Sequence, residues 1–249
     1  GINVPLLYPE IDRLMDIIIQ EGVKIVFTSA GSPKKWTPLL KSHGITVVHV
    51  ISSALFAKKC EEAGVDAVVA EGFEAGGHNG REETTTLTLI PNVVESCSLP
   101  VIAAGGISSG KSVVAAMTLG AEGVQIGTRF AVATESSAHP TFKQRVFDTE
   151  EGGTMLALKK LAPTRLIKNE FFNQVKALED AGAETAQLTE LLGKGRAKKG
   201  IFEGDMTEGE LEIGQIASML HQEETVSEIM EDIIADFNKT MSKLSDLKL

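Results

Sequence analysis

The sequence predicts an α/β fold of the eight-stranded (β/α) barrel type, and three observations predict it. A helix-stopping glycine followed at once by a β-branched strand recurs along the chain, in EGVKIVFTSAG, HGITVVHVISS, AGVDAVVAEGF and LGAEGVQIGTRF. The strands are near-continuous apolar runs, as a sheet covered on both faces requires. The glycine-rich polar turns cluster after the later strands, where barrels of this type place their ligands.

Glycine suits the left-handed position just past a helix, so each phrase reads as helix stop, short turn and buried strand. GINVPLL opens with a further strand and SLPVIAAGGIS supplies another, which gives strand onsets near residues 2, 24, 46, 66, 100 and 123. Between the first two, Ile11, Leu14, Met15 and Ile18 follow helical spacing, and Ser53 is placed to cap a helix that stops at Gly64. Such alternation implies right-handed crossovers and a parallel sheet. Six units fit either an open doubly wound sheet or most of a barrel, and periodicity alone does not choose. The chemistry does: phosphate sites of barrels follow strands seven and eight. If the strands near 100 and 123 hold those places, residues 1–140 are units three to eight, and the first two βα units are expected ahead of Gly1. Residues 141–205 read as a mostly helical lid or insertion, and 206–249 as a closing helix near Glu224–Phe237 with a frayed, tag-like tail.

The chain has 249 residues, 43% of them hydrophobic, within the roughly 200–250 residues of a single barrel domain. With 34 acidic against 24 basic residues, the net charge of −10 argues against a nucleic-acid partner. Cys60 and Cys97 lack CxxC spacing or a histidine pair, so neither a metal site nor a disulfide framework is expected. No apolar run approaches the roughly 18 residues that span a bilayer, and Gly1-Ile2-Asn3-Val4-Pro5 is not a secretion signal, so a cytoplasmic protein with no membrane partner is expected.

Four constellations carry chemistry. Ala104-Gly105-Gly106-Ile107-Ser108-Ser109-Gly110 precedes a helix, and its glycines together with the positive end of that helix suit a phosphate; a ligand-free tight turn fits the same residues. Gln125-Ile126-Gly127-Thr128 ends the next strand and would complete the cradle from the side. Glu71-Gly72-Phe73-Glu74-Ala75-Gly76-Gly77-His78-Asn79-Gly80 surrounds one histidine with four glycines. A glycine-rich loop at the catalytic face exposes an imidazole, which exchanges protons near neutral pH. Glu71 and Glu74 are the candidates to orient it or to bind ligand hydroxyls; His43, His49, His139 and His221 read as structural. Thr28-Ser29-Ala30-Gly31-Ser32-Pro33 suits either a flat ring against the backbone or a helix start with Ser32 as N-cap and Pro33 in the first turn.

EGFEAGGHNG, PVIAAGGISSG, GVQIGTRF and the late GQIASML resemble, in order and spacing, the nitronate monooxygenase family, also called 2-nitropropane dioxygenases, which includes the flavin-dependent type II enoyl-acyl-carrier-protein reductases. The resemblance runs from about Val4 to Phe237. It implies a TIM barrel binding FMN, with phosphate contacts from Gly105, Gly106, Gly127 and Thr128 and further contacts from Ser29, Glu71, Gly76, Gly77, Ala104 and Gln125. It also implies that His78 is catalytic. GDMTEGELEIGQIASMLHQEETVSEI and TSAGSP resemble the reductases more than the monooxygenases, so the first expectation is NADH- or NADPH-driven reduction of an enoyl thioester in fatty acid synthesis. Nitronate oxidation with oxygen is the alternative, and a non-catalytic flavin-binding module the third. The expected partners are a small-molecule or acyl-thioester substrate, an acyl carrier protein, and a second copy of the chain in a homodimer. Lys159, Lys160, Arg165 and Lys168 of the lid suit either an acidic carrier and its phosphopantetheine or a solvated helix face.

Overall fold

The structure, a computed structural model, describes residues 1–245. Strands and helices alternate through β1 (Ile2–Pro5), α1 (Ile11–Gln20), β2 (Ile25–Ser29), α2 (Thr37–Ser42), β3 (Thr46–Ile51), α3 (Ala54–Glu62) and β4 (Ala67–Glu71). A two-residue strand, β5 (Gly77–His78), then precedes α4 (Thr86–Val94), β6 (Val101–Ala104), α5 (Gly110–Thr118), β7 (Gly123–Gln125) and the single turn α6 (Thr128–Ala131). The remainder holds α7 (Pro140–Phe147), β8 (Thr154–Ala157), β9 (Thr164–Ile167), α8 (Glu170–Asp180), α9 (Thr185–Leu192), α10 (Arg196–Ile201), a 3-10 turn (Gln215–Met219) and α11 (Val226–Ser245). None of the described helices is long and apolar enough to cross a membrane.

The six main strands form one sheet in the order β1-β2-β3-β4-β6-β7, and every pairing is parallel. Their starts fall within a residue of the predicted onsets. The four predicted stop glycines, Gly22, Gly44, Gly64 and Gly120, all have positive φ. Side chains alternate across the sheet with period two. Val4, Val26, Val47, Ile51, Val68, Ala70, Val101 and Ala103 face the helices and pack with Met15 and Ile18 of α1, each of which contributes about 1.5–3 kcal/mol by leaving water. Phe27, Val48, Val50, Ala67, Val69, Ile102 and Ala104 form the second, inner layer.

Three expectations change. The span 141–205 is not helical throughout: β8 and β9 form a hairpin, and β9 pairs on its other side with β5, so a three-stranded antiparallel sheet ties this span to the His78 loop. The closing helix runs on to Ser245, so residues 238–245, expected as a frayed tail, continue α11; residues 246–249 lie outside the described residues. Ser32 is not a helix cap, because α2 begins at Thr37, whose hydroxyl donates to Pro33 O at 2.7 Å. The Ser53 cap is present, its side chain accepting from Phe56 N–H.

Candidate functional site

The carboxyl ends of the parallel strands bring the predicted residues together. Glu71 pairs in register with Ala104, and Ala104 with Gln125, so the three stand in one row across β4, β6 and β7. Glu71 continues the inner-face alternation of Ala67 and Val69, and Ser29 continues that of Phe27. Burial pushes the half-buried Glu71 carboxyl up to about 7, so near neutral pH it carries a proton much of the time and can donate as well as accept.

Beyond this row lie the glycine turns. Gly105 and Gly106 have φ of 89° and 70°, which a residue with a side chain adopts only at a cost. A Cβ at Gly105 would stand 2.7 Å from Gly72 O, and one at Gly106 would stand 3.3 Å from Glu74 Cβ. The helix that follows does not contribute as the sequence suggested. Lys111 N–H, in the first turn of α5, donates to Asp236 of α11 at 2.8 Å, and Gly110 abuts the Asp236–Phe237 backbone. One of the first N–H groups of that helix is therefore already taken by a carboxylate, which also offsets the helix's positive end. The turn is also braced from outside, because Arg129 donates to Ser108 O at 2.8 Å while it is held by Glu224 and Asp232. Gly127, by contrast, has open space where a Cβ would stand, and Thr128 accepts Gly214 N–H at 3.1 Å, which leaves its own hydroxyl proton to donate. A side-chain-free turn at Gly105–Gly106, open space at Gly127 and a hydroxyl at Thr128 fit a phosphate group.

The His78 loop arches from the end of β4. Gly72 N–H donates to Ala104 O at 2.9 Å, and Asn79 ties the loop by donating its side-chain amide to Ala75 O and Gly77 O, each at 3.0 Å. His78 itself is exposed and is fixed through its backbone by pairing with Thr164 of β9. Glu74 does not orient it. Its carboxylate accepts from the Thr86 amide at 3.0 Å and from the Thr86 hydroxyl at 2.9 Å, at the start of α4.

The partner missing from the sequence reading comes from the late segment 210–215. Glu212 pairs through its backbone with Leu166, and a Cβ at Gly77 would lie 2.5 Å from Glu212 Oε2. Burial raises the Glu212 carboxyl, and the His78 charge pulls it back down. Glu210 is likewise pushed up to about 7, first by burial and then by Glu212. Gly76 packs directly on the Ile213–Gly214 peptide, and Gln215 N–H donates to Glu74 O at 3.0 Å. The strict alternation of Glu210, Leu211, Glu212 and Ile213 was the available signal: an extended segment with one acidic face.

The family model described as nitronate monooxygenase matches residues 3–236. The chain belongs to the nitronate monooxygenase family. This is an oxidoreductase family, and the chain has its TIM-barrel-like fold. Among family relatives, a probable nitronate monooxygenase of Staphylococcus saprophyticus is 36% identical over 200 residues, covering 75% of this chain and 56% of that one. A (3aS,4S,5R,7aS)-5-hydroxy-7a-methyl-1-oxo-octahydro-1H-indene-4-carboxyl-CoA dehydrogenase of Rhodococcus jostii is 27% identical, covering 100% of this chain and 80% of that one. The structure of FabK from Thermotoga maritima superposes with a TM-score of 0.92 at 38% identity, covering 98% of this chain and 77% of that one. A nitroalkane oxidase from Streptomyces ansochromogenes gives 0.78 at 28%, covering 94% and 69%. The chain spans about half the length of the curated monooxygenase relatives it matches.

Proposed function

We propose that the protein is an FMN-dependent oxidoreductase that reduces an enoyl thioester with NADH or NADPH. The observation that carries this reading is the match to FabK, an enoyl-acyl-carrier-protein reductase, which exceeds the match to the nitroalkane oxidase in both identity and superposition. A carboxyl-CoA dehydrogenase among the relatives supports a thioester substrate.

Gly105, Gly106, Gly127 and Thr128 would hold the FMN phosphate, with Ser29, Glu71, Gly76, Gly77, Ala104 and Gln125 around the rest of the cofactor. The flavin supplies the electron chemistry when bound. His78 presents an exposed imidazole from a rigidly tied loop and moves the proton that the reaction requires. Glu212, held up by burial beside His78, sets the charge that the imidazole meets. Glu71, protonated for part of the time near neutral pH, offers a donor at the strand end.

The monooxygenase reading rests on the probable nitronate monooxygenase of Staphylococcus saprophyticus at 36% identity and would use oxygen in place of a nicotinamide. The visible spectrum of the purified protein, before and after anaerobic addition of NADH, separates the two. Rapid bleaching of a bound flavin is expected. A flavin that ignores NADH but bleaches with an alkyl nitronate would overturn the reductase in favour of the monooxygenase.

A further inference from the structure

An open cavity of about 590 Å³ lies between the β8–β9 hairpin, α8 and the His78 loop, with Phe73, Leu156, Lys159, Lys160, Arg165 and Lys176 in its wall. Four cationic side chains line it against two acidic ones, Glu179 and Asp180, in a chain whose net charge is −10. Lys159 pairs with Glu83, and Lys176 with Asp180 at 2.5 Å. The other two cations have no carboxylate partner among the described residues. Lys160 Nζ donates to Ala183 O at 2.6 Å and Gly182 O at 3.3 Å. Arg165 is 2% exposed, stacks on the Phe73 ring at 4.5 Å, and donates Nη2 to Phe73 O at 2.7 Å and Nε to Phe73 O and Ala75 O at 3.2 Å.

A buried guanidinium bonded only to carbonyls, with Glu74 and Glu83 acting on it from beyond ion-pair distance, is an expensive arrangement that an anion in direct contact would relieve. The carbonyls occupy one edge of the fork, and Nη1 is left for a ligand in the cavity. The position is not remote from the chemistry, since Arg165 stands directly across the ladder from Gly77, next to His78. Phe73 and Leu156 give the same cavity an apolar wall.

We infer that this cavity binds the phosphate group of a phosphate-bearing organic substrate, with Arg165 and Lys160 as the anchors and Phe73 and Leu156 against the organic part. The assignment of that ligand to the reaction rests on the proposed reductase reading, in which both substrates carry phosphate: the thioester through a phosphopantetheine arm, the nicotinamide through its pyrophosphate.

The test is calorimetric titration of the flavin-loaded protein with 4′-phosphopantetheine and pantetheine, and with nicotinamide mononucleotide and nicotinamide riboside. At least one phosphorylated probe is expected to bind about tenfold or more tightly than its dephosphorylated counterpart, and the responding pair names the source. Lys160→Gln, which keeps a donor for the carbonyls but drops the charge, is expected to cut that preference about tenfold, the effect of roughly 1.4 kcal/mol. Equal binding within both pairs in the wild type, which needs no variant to fold, overturns the inference; so does a preference that survives Lys160→Gln unchanged. Flavin bleaching by NADH is read separately, so failure of the reductase reading and failure of this site are distinguishable.

Discussion

His49 lies 4% exposed on the helix-facing side of β3, where Thr28 Oγ1 stands 2.7 Å from its Nδ1. Burial lowers it from 6.5 to about 4, against an upward pull from its backbone bond to Gly31. Between those values the unfolded chain binds more protons than the folded one. The contribution of His49 to stability is therefore full above pH 6.5 and is lost as pH falls toward 4, by roughly 3 kcal/mol. Glu71 and Glu210, raised to about 7, act in the opposite sense and weaken the fold as pH rises from 4.5. A comparison with His49→Gln cancels them: the stability lost in this variant, measured by urea unfolding, should shrink by about 2–3 kcal/mol between pH 7.5 and pH 4.5. A loss independent of pH would show that the buried ring is not the titrating group. In the proposed function His78 is the imidazole that handles the proton. His78→Ala should retain FMN while turnover drops at least ~10²-fold, and a parallel fall in flavin content would assign it to binding instead. Glu212→Gln should leave flavin content intact and displace the acid limb of the kcat/KM pH profile; an unmoved limb would remove Glu212 from the proton's surroundings.

At the scale of elements, the turn after β6 is set by its two left-handed glycines and held by Asp236 of α11 and by Arg129 of α6, itself paired with Asp232 of α11 and with Glu224 just ahead of it. Gly106→Asp puts a side chain at φ 70° and a negative charge where phosphate is proposed to sit, so it should abolish FMN retention. A normal flavin spectrum from that variant would end the case for the cradle. Most of this architecture is legible in the sequence, because a left-handed glycine followed by a β-branched run is a local signal that names its own element. The β8–β9 hairpin is not. TMLA and TRLI are four residues each, and the linker LKKLAP lacks a hairpin turn pair; Leu158, which takes a φ of 58°, is not a residue that advertises it. His78 is legible from the glycines around it, whereas Glu212 becomes a site residue only through its pairing with Leu166 and its packing on Gly77, contacts that no local pattern encodes. The α5 start misled for the same reason, since its occupant, Asp236, arrives from a distant helix.

At the largest scale, the six-stranded sheet of the described residues is bounded by β1 and β7. Ile2 on β1 is 41% exposed and Ile25 on the adjoining β2 is 40% exposed, an apolar margin beside unpaired backbone. Light scattering of the 249-residue chain should show association that grows with concentration, and Ile2→Lys should reduce it; identical behaviour of the two proteins would absolve this edge. Long-range closure shapes the site as well. Residues 74–78 meet residues 212–215, while the strand-end row of Glu71, Ala104 and Gln125 closes within residues 71–125. The proposed flavin seat thus has an early part, the strand-end row, and a late part, because Gly76, Gly77 and Thr128 gain their packing only when residues 212–214 arrive.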